Sequence, residues 1–429
     1  MNIWTALTAP QRLALLLAAA SLLAMARGVA RLVLSAARRR SVLQRTGDEH
    51  RKRVATAMAG YEPSASETGL GWEGFRRFTV SGKEWETASQ DVCSFYLEPV
   101  DGKTLPDFLP GQFLTFRMGF LDSAGQEMHV VRCYSLSWGG ARKPYRISVR
   151  RINGAPDKSE TPGVVSTHLH DRIQVGAVLN VKAPAGGFYL DPQKDGGPVV
   201  LISAGIGITP LFSMADSLIE SGSTREIWFF VGMRSAHSFP MREQILAWAK
   251  DRSGFNLVIF HSQPSADERL GVDFDVRGHV TAEAVRERLG QREADFYVCG
   301  PGTMMNSMVG GLEALGIASD RIHFEAFGPA SVRRAPKDVD DRIANPYSVR
   351  FARSGVSVPW DGTYDNLLSF AEAHGVPIDG GCRSGNCGTC ATAVDEGTVE
   401  YVARAAAKTE SGTCLTCVAV PSSALVLDA

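Results

Sequence analysis

Short stretches in which hydrophobic and polar residues alternate occupy the chain between residues 71 and 192. They lie at residues 78–80, 94–97, 112–117 and 146–150, and Gly, Pro and Asp separate them. Alternation with a period of two predicts half-buried strands, and short strands at regular spacing are typical of a barrel or sandwich. We therefore predict an antiparallel β-barrel domain over residues 71–192.

The pattern changes over residues 193–330, where apolar runs alternate with segments of helical period. The unbroken run at 198–203 predicts a buried parallel strand, and a glycine turn and a helix at 211–219 follow it. Thr209 and Pro210 suit the N-cap and first position of that helix. The further predicted elements are strands at 226–232, 256–260 and 296–298 and helices at 240–250 and 281–289. Such alternation predicts an α/β domain with a parallel sheet.

A third pattern covers residues 345–429, after a charged segment at 331–344 that we interpret as a linker. Two alternating runs flank Ser354-Gly355, which predicts a hairpin, and residues 363–374 have helical period. We therefore predict a small α+β domain here.

The first 45 residues contain the apolar run 13–26 followed by a basic flank. The run is short for a bilayer core, which needs about 20 apolar residues, but the pattern continues past it. We predict a single-pass membrane anchor with its basic side, and the folded domains, in the cytoplasm. A helix lying in the membrane interface and a cleaved signal peptide are the alternatives. Residues 46–70 are polar and read as a linker.

Composition narrows the function class. The chain is 44% hydrophobic and 21% charged, as expected of folded domains, and its net charge of −1 gives no indication of nucleic-acid binding. Eight cysteines among 429 residues do not form a disulfide scaffold, and five of them lie in the last fifty residues. That crowding predicts a metal site.

The spacing Cys382-x4-Cys387-x2-Cys390 is that of plant-type [2Fe–2S] ferredoxins. Neighbouring glycines allow the backbone to wrap a cluster and to direct N–H groups at its sulfurs. The fourth ligand is Cys414 or Cys417. A structural zinc site, which also uses four cysteines, is the competing interpretation.

Two segments of the first domain suit a flavin. Arg132, Tyr134 and Ser135 offer a cation, an aromatic ring and a hydroxyl, which we expect on one face of a strand. The glycine turn at 163–167 precedes a helical segment and offers backbone N–H groups to a pyrophosphate.

The segments GWEGFRRF, FLPGQFLTF, RCYSLS, YRISVRR, GVVSTHLHDRIQVG and APAGGFYLD occur in this order. In this order they resemble the ferredoxin–NADP reductase superfamily, in the form of the flavohaemoglobin reductase module. The resemblance implies a flavin, FAD rather than FMN, with Arg150 or Arg151 and the glycine turn at its phosphates. The residues it assigns to the flavin are Arg132, Cys133, Tyr134, Ser135, Arg150, Gly163, Val164, Val165, Ser166 and Thr167.

The same resemblance covers GIGITP and CGP in the second domain, which would bind a nicotinamide nucleotide. Cys299 would lie near the nicotinamide ring, and Glu325 would be a proton carrier or a capping carboxylate. Arg234, at the end of a predicted strand with no acidic residue nearby, favours NADPH slightly over NADH. The residues assigned to the nucleotide are Gly205, Gly207, Thr209, Pro210, Arg234, Cys299, Gly300 and Pro301.

The tail CLTCVAVPSSALVLDA resembles the final segment of plant-type ferredoxins, which selects Cys417 as the fourth ligand and implies a β-grasp domain.

A nicotinamide gives up two electrons as a hydride, and a [2Fe–2S] cluster accepts one, so a flavin must lie between them. This order resembles the reductase components of multicomponent oxygenases. We expect an NAD(P)H-dependent reductase with Ser135, Cys299 and Glu325 at the reacting centre. Its acceptor would be a separate oxygenase, hydroxylase or desaturase, because no haem or di-iron motif is present in this chain. Electron entry to a quinone or respiratory complex, and a non-enzymatic membrane-tethered iron–sulfur scaffold, are the alternatives.

Overall fold

The computed structural model describes residues 71–121, 127–154, 163–194, 196–327, 347–385, 387–402, 407 and 409–429. The predicted membrane anchor (1–45) and both predicted linkers (46–70 and 331–344) lie outside the described residues. Within these ranges, no helix has the length and apolar character needed to cross a membrane.

The first domain is an antiparallel sheet of six strands in the order β4-β3-β6-β1-β2-β5. Just beyond β4, Leu136 forms a bridge to Ile147 of β5, so the two edges meet and the sheet closes as the predicted barrel. Its interior is packed with apolar side chains such as Phe78, Phe95 and Phe116. The elements are β1 (Arg76–Trp85), β2 (Val92–Pro99), β3 (Phe113–Leu121), β4 (Glu127–Ser135), β5 (Tyr145–Arg150), α1 (Val164–Arg172) and β6 (Val178–Val181).

The second domain is an all-parallel sheet in the order β10-β9-β8-β7-β11-β12, with apolar cores on both faces. The α/β prediction is therefore confirmed. The elements are β7 (Val199–Ala204), α2 (Ile208–Glu220), β8 (Ile227–Met233), α3 (Arg242–Asp251), β9 (Phe255–His261), β10 (Val276–Arg277), α4 (Ala282–Leu289), β11 (Asp295–Gly300), α5 (Gly302–Ala314) and β12 (Ile322–Ala326).

Several details of the second domain differ from the sequence prediction, which lacked β10 and α5. The prediction ended the sheet at 296–298, but β12 pairs with β11 and adds an edge strand. Thr209 does not cap α2, because a 3₁₀ turn over Gly205–Gly207 brings the helix start forward to Ile208. Gly207 is the N-cap, and the Thr209 hydroxyl instead donates to the Ile206 carbonyl at 3.1 Å.

The third domain has a five-stranded sheet in the order β14-β13-β19-β15-β17, with β13 and β19 parallel and the other pairs antiparallel. The predicted hairpin and α+β class are confirmed. The helix is shorter than predicted, because the Asn366 side chain accepts the Ser369 amide at 2.9 Å and caps it. The elements are β13 (Tyr347–Phe351), β14 (Val356–Trp360), α6 (Leu367–Ala373), β15 (Ala391–Glu396), β16 (Val399–Tyr401), β17 (Thr413–Leu415), β18 (Ala419–Pro421) and β19 (Leu425–Leu427).

Candidate functional site

The strand β4 presents the residues predicted to contact a flavin. Tyr134 packs edge-on against Phe116, with ring centroids 5.7 Å apart, and burial raises its pKa. Side chains of a strand alternate between its faces, so Ser135 shares a face with Cys133 and not with Arg132 and Tyr134. The expectation that cation, ring and hydroxyl lie on one face is therefore wrong for Ser135.

Ser135 provides a direct test of whether this strand suits a bound group. Its hydroxyl is buried, at 5% residue exposure, and has no hydrogen-bond partner in the described part of the chain. Buried hydroxyls are normally paired, so Ser135 has a hydrogen bond to give to a group that the polypeptide itself does not supply. The site therefore fits a flavin.

The glycine turn before α1 has the predicted geometry. Gly163 is the N-cap, and no side chain caps the helix. Ser166 stabilises the turn by donating to the Gly163 carbonyl at 3.1 Å and accepting the Ile152 amide at 3.2 Å. The Thr167 hydroxyl is buried and unpaired among the described residues. First-turn N–H groups and a spare hydroxyl suit a phosphate.

The two candidate arginines have different surroundings. Arg151 forms a bidentate pair with Asp171, at 2.6 and 3.1 Å. Arg150 lies 3.6 Å from Asp91 and borders a cavity that opens beside Gly205. Arg150 is thus the arginine that reaches the nucleotide cavity.

This cavity has a volume of about 580 Å³ and lies at the carboxyl ends of β7, β8, β9 and β11. The chain order of the strands reverses between β7 and β11, and such switch points are where open α/β sheets bind ligands. Of the residues predicted for the nucleotide, Gly205, Arg234 and Pro301 line the cavity directly. Residues that the sequence reading missed also line it: Ser262, Gln263, Gly278, His279, Thr281, Thr303 and Ser307. Ser262 and Gln263 follow a predicted strand and Thr281 begins a predicted helix, which is the signal that could have identified these three.

Behind the cavity, Gly207 lies against β11. A Cβ at this position would lie 2.3 Å from the Cys299 carbonyl oxygen, and the φ of −60° is ordinary, so contact alone demands glycine. Cys299 itself is fully buried in the core beneath α2, and that burial raises its pKa well above the ordinary range. Its thiol is therefore protonated at neutral pH.

Glu325 on β12 is the register partner of Cys299. Burial raises its pKa well above the ordinary range, and its Oε2 has no partner among the described residues. Cys382 raises the pKa of Glu325 further, so this carboxyl, although on the nucleotide domain, lies near the cysteine loop. A buried carboxyl whose pKa is raised in this way is protonated at neutral pH, so Glu325 can act as a proton carrier.

One buried carboxylate was not recognised in the sequence. Glu268 accepts the Ala236 amide at 3.0 Å and the Ser265 hydroxyl at 2.7 Å, and it lies 2.5 Å from His261 Nδ1. These bonds anchor the turn that follows Arg234, so Glu268 shapes this wall of the cavity rather than entering it.

The cysteine loop directs backbone N–H groups at sulfur. The Cys382 amide donates to Cys387 Sγ at 3.2 Å, and the amides of Cys387 and Ser384 donate to Cys382 Sγ at 3.3 and 3.5 Å. Gly385 has a φ of +77°, which favours glycine. This is the donor geometry expected around thiolate ligands.

The four predicted ligands form two pairs of thiols. Cys382 contacts Cys387, and Cys390 contacts Cys417. No three His, Cys, Asp or Glu side chains within the described ranges are placed together to hold a metal ion. Four thiolates are the ligand set of a [2Fe–2S] cluster, and two pairs match its two irons. The residues present therefore fit this cluster.

Cys414 and Cys417 lie in different surroundings. Cys414 is in the core between the sheet and α6, with Phe351 and Phe370, where burial raises its pKa to about 12. Cys417 packs with Cys390 in a separate small core. Position thus favours Cys417 as the partner of Cys390.

The cysteine loop lies next to the barrel. The thiol of Cys133 on β4 contacts that of Cys387. The neighbouring Arg132 is largely buried, which lowers its pKa, and the Arg383 guanidinium lowers it further. Arg383 donates to Glu372 at 3.0 Å. The strand assigned to the flavin and the loop assigned to the cluster are therefore in direct contact.

Comparison with known proteins agrees with this architecture. The family described as oxidoreductase NAD-binding domain matches residues 201–309, and the 2Fe-2S iron-sulfur cluster binding domain matches residues 350–422. The flavohemoprotein of Bordetella pertussis is 41% identical over 280 residues, covering 65% of this chain and 67% of that protein. That of Rhizobium meliloti is 39% identical over 281 residues, covering 64% and 67%.

Among solved structures, phthalate dioxygenase reductase is 26% identical with a TM-score of 0.51, and the alignment covers 83% of this chain and 98% of that one. It is described as a modular structure for electron transfer from pyridine nucleotides to [2Fe-2S]. An intact type IV self-sufficient cytochrome P450 monooxygenase shares the fold, with a TM-score of 0.56 and 23% identity over 83% of this chain and 41% of that one.

Proposed function

The chain belongs to the ferredoxin–NADP reductase superfamily, as a flavohaemoprotein-like reductase fused to a [2Fe–2S] ferredoxin domain, and we propose that it delivers electrons from NAD(P)H to a separate oxygenase, hydroxylase or desaturase. It is an NAD(P)H-dependent oxidoreductase whose cofactors are FAD, NAD(P)H and a [2Fe–2S] cluster. The likeness to phthalate dioxygenase reductase supports the choice of an oxygenase as acceptor.

The observation that carries this proposal is the contact between Cys133 on the flavin strand and Cys387 in the cysteine loop. FAD, when bound, supplies the conversion between hydride and single-electron chemistry. For electrons to leave through the cluster, the two sites must adjoin. The contact between β4 and the cysteine loop supports that requirement.

The chain's own residues would share the work as follows. Ser135 donates its free hydrogen bond to the flavin, and the Gly163–Thr167 turn holds the phosphates together with Arg150. The 3₁₀ turn before α2 and the segment after β11 enclose the nucleotide, and the exposed Arg234 favours NADPH. Cys299 packs against the 3₁₀ turn that precedes α2, and Glu325 holds a proton beside the reacting centre. We place the domain boundaries at 71–192, 193–330 and 345–429.

The direct test uses purified full-length protein. We expect it to oxidise NADPH, and NADH more slowly, with ferricyanide or cytochrome c as acceptor. Protein with its flavin and cluster bound that consumed neither nucleotide with either acceptor would contradict the proposal. Adding a soluble quinone separates the alternatives, because a respiratory entry point would reduce quinone faster than an oxygenase reductase does.

We further propose that residues 1–45 anchor the protein to a membrane, with the three domains in the cytoplasm. The apolar run at 13–26 and its basic flank support this proposal. Deleting residues 1–45 should move the protein from the membrane fraction to the soluble fraction without loss of ferricyanide reduction, because the deletion removes none of residues 71–429.

Fractionation distinguishes the three interpretations of this segment. Full-length protein that is released only by detergent supports a spanning helix. Release by high salt would indicate an interfacial helix, because salt screens the attraction between basic residues and anionic lipids. A mature protein that begins near residue 27 would indicate a cleaved signal peptide. Either of the last two outcomes would contradict the anchor.

A further inference from the structure

The helix α2 carries a polar stripe that no cofactor assignment explains. Ser213, Asp216, Ser217 and Glu220 are spaced i, i+3, i+4 and i+7, so they lie on one face of the helix. A polar stripe of this kind is typical of a solvated face. Here, however, the exposures of Ser213, Asp216 and Ser217 are 0%, 2% and 5%. Something other than water must satisfy these side chains.

Residues 138–142 of the barrel, here called the clamp loop, cover the stripe. Ser213 Oγ donates to the Trp138 carbonyl at 2.5 Å. The Gly139 amide donates to Asp216 Oδ2 at 2.8 Å, and the Gly140 amide donates to Ser217 Oγ at 2.8 Å. Three successive residues of the loop are therefore each hydrogen-bonded to the helix.

Asp216 lies at the centre of these contacts. Besides the Gly139 amide, it accepts a hydrogen bond from Arg142 Nη2 at 3.2 Å, and Arg142 pairs with Glu220 at 2.5 Å. A Cβ on Gly139 would lie 2.3 Å from Glu220 Oε2 and 2.9 Å from Asp216 Oδ2, so both carboxylates would have to shift to admit a side chain there. A buried carboxylate with both oxygens engaged holds its partners more strongly than neutral bonds do.

The two ends of this connection lie at the two cofactor sites. The 3₁₀ turn that lines the nucleotide cavity leads directly into the first residue of α2. The clamp loop begins three residues after Ser135, at the end of the strand assigned to the flavin. With a rise of 1.5 Å per residue, Asp216 lies about 12 Å along the helix from Ile208. The helix and the clamp loop thus form a short, rigid link between the two sites.

We propose that Asp216 is a positioning residue that fixes the flavin strand relative to the nucleotide turn and so sets the distance for hydride transfer from NAD(P)H to the flavin. Asp216 touches neither cofactor site and acts through the clamp loop. This inference rests on the proposed function, because it concerns the first electron-transfer step of the same reductase.

The test is Asp216→Asn in the full-length protein with its cofactors bound. The Gly139 amide and Arg142 Nη2 donate to different oxygens of Asp216, and an amide replaces one of these oxygens with an NH2 donor, so one of the two bonds is lost. The rate of flavin reduction by NADPH, measured by rapid mixing without oxygen, should fall by about tenfold to a hundredfold. A misplacement of the reacting groups by about 1 Å has an effect of this size. KM for NADPH should stay near the wild-type value, because the cavity lining is unchanged.

Three measurements separate positioning from a general structural role. Hydrogen–deuterium exchange should become faster at the Gly139 and Gly140 amides. The deuterium isotope effect on flavin reduction should become more temperature-dependent, as expected when the donor–acceptor distance is less well defined. Reduction by dithionite, which does not use the nucleotide site, should be unchanged. The matched control is Asp251→Asn, the same change at an exposed position on α3, which should alter none of these.

Clear outcomes would overturn the inference. An unchanged rate of flavin reduction in Asp216→Asn would do so, and so would a slower rate that merely follows loss of bound flavin. If the variant is too unstable to purify, Ser217→Ala, which removes the acceptor for Gly140 only, should show a smaller slowing with the same change in isotope effect. Wild-type protein that is inert to both nucleotides would instead refute the proposed function, and this inference with it.

Discussion

Replacing Cys417 with serine will remove the visible absorption of the [2Fe–2S] cluster, while reduction of the flavin by NAD(P)H continues. The four predicted ligands form two pairs, and Cys417 completes the pair with Cys390. A serine hydroxyl keeps its proton at neutral pH and is a much weaker iron ligand than a thiolate. The flavin strand and the nucleotide cavity contain no cluster ligand, so the first step should survive.

The matched control is Cys414→Ser. Cys414 lies in the apolar core beneath α6, so a hydroxyl there should leave the cluster in place and lower the stability by about 1–3 kcal/mol. Cys414→Ala is a second control, to be used if the serine variant folds poorly. Visible absorption and electron paramagnetic resonance of the reduced proteins report the cluster. An intact cluster in Cys417→Ser, together with its loss in both Cys414 variants, would exchange the roles of the two cysteines.

A single methyl group at Gly207 will impair the nucleotide site. In Gly207→Ala the new Cβ would lie 2.3 Å from the Cys299 carbonyl oxygen, 2.5 Å from its carbonyl carbon and 2.7 Å from the Gly300 nitrogen. All three atoms are backbone atoms of β11, which is paired on both sides by β7 and β12, so α2 must move instead. We expect a stability loss of about 1–3 kcal/mol from overpacking, together with a raised KM for NAD(P)H as the turn shifts.

Gly310→Ala is the control for this prediction. Gly310 lies on the exposed face of α5, and a Cβ there meets nothing within 4 Å. Alanine in an exposed helix should therefore stabilise the protein by about 0.4–1 kcal/mol and leave KM unchanged. Thermal unfolding and steady-state kinetics of the two variants measure both effects. A Gly207→Ala protein with wild-type KM and stability would show that β11 and α2 separate more easily than their packing indicates.

The sequence predicted most of the fold because its patterns are local. Alternating runs indicated the barrel strands, and the run at 198–203 indicated the central parallel strand, since each pattern reports which face of an element is buried. Strands at the edges of the sheets were harder to predict from the sequence. β12 was not predicted, because the periodicity of a five-residue strand gives little signal.

The candidate sites show the same difference between local sequence signatures and features formed by residues that are distant in sequence. The spacing of Cys382, Cys387 and Cys390 is a local signature, whereas the cavity wall contributed by Ser262, Gln263 and the segment after β10 comes from strands that are distant in sequence. Ser135 shows the limit of a sequence pattern within a single strand. The sequence identified this serine as a candidate flavin contact but placed it on the wrong face of the strand, because side chains alternate and Ser135 lies on the face opposite Tyr134.

The sequence by itself determined the three-domain order, the glycine turns and the cysteine loop, because each depends on residues close together in the chain. Only the tertiary structure decided that Cys417 pairs with Cys390 while Cys414 lies in the core, and that the polar stripe of α2 meets the clamp loop. A helical pattern shows that one face is polar, but not whether water or another domain satisfies it. That outcome depends on how the domains pack, and the packing places Asp216 between the two cofactor sites.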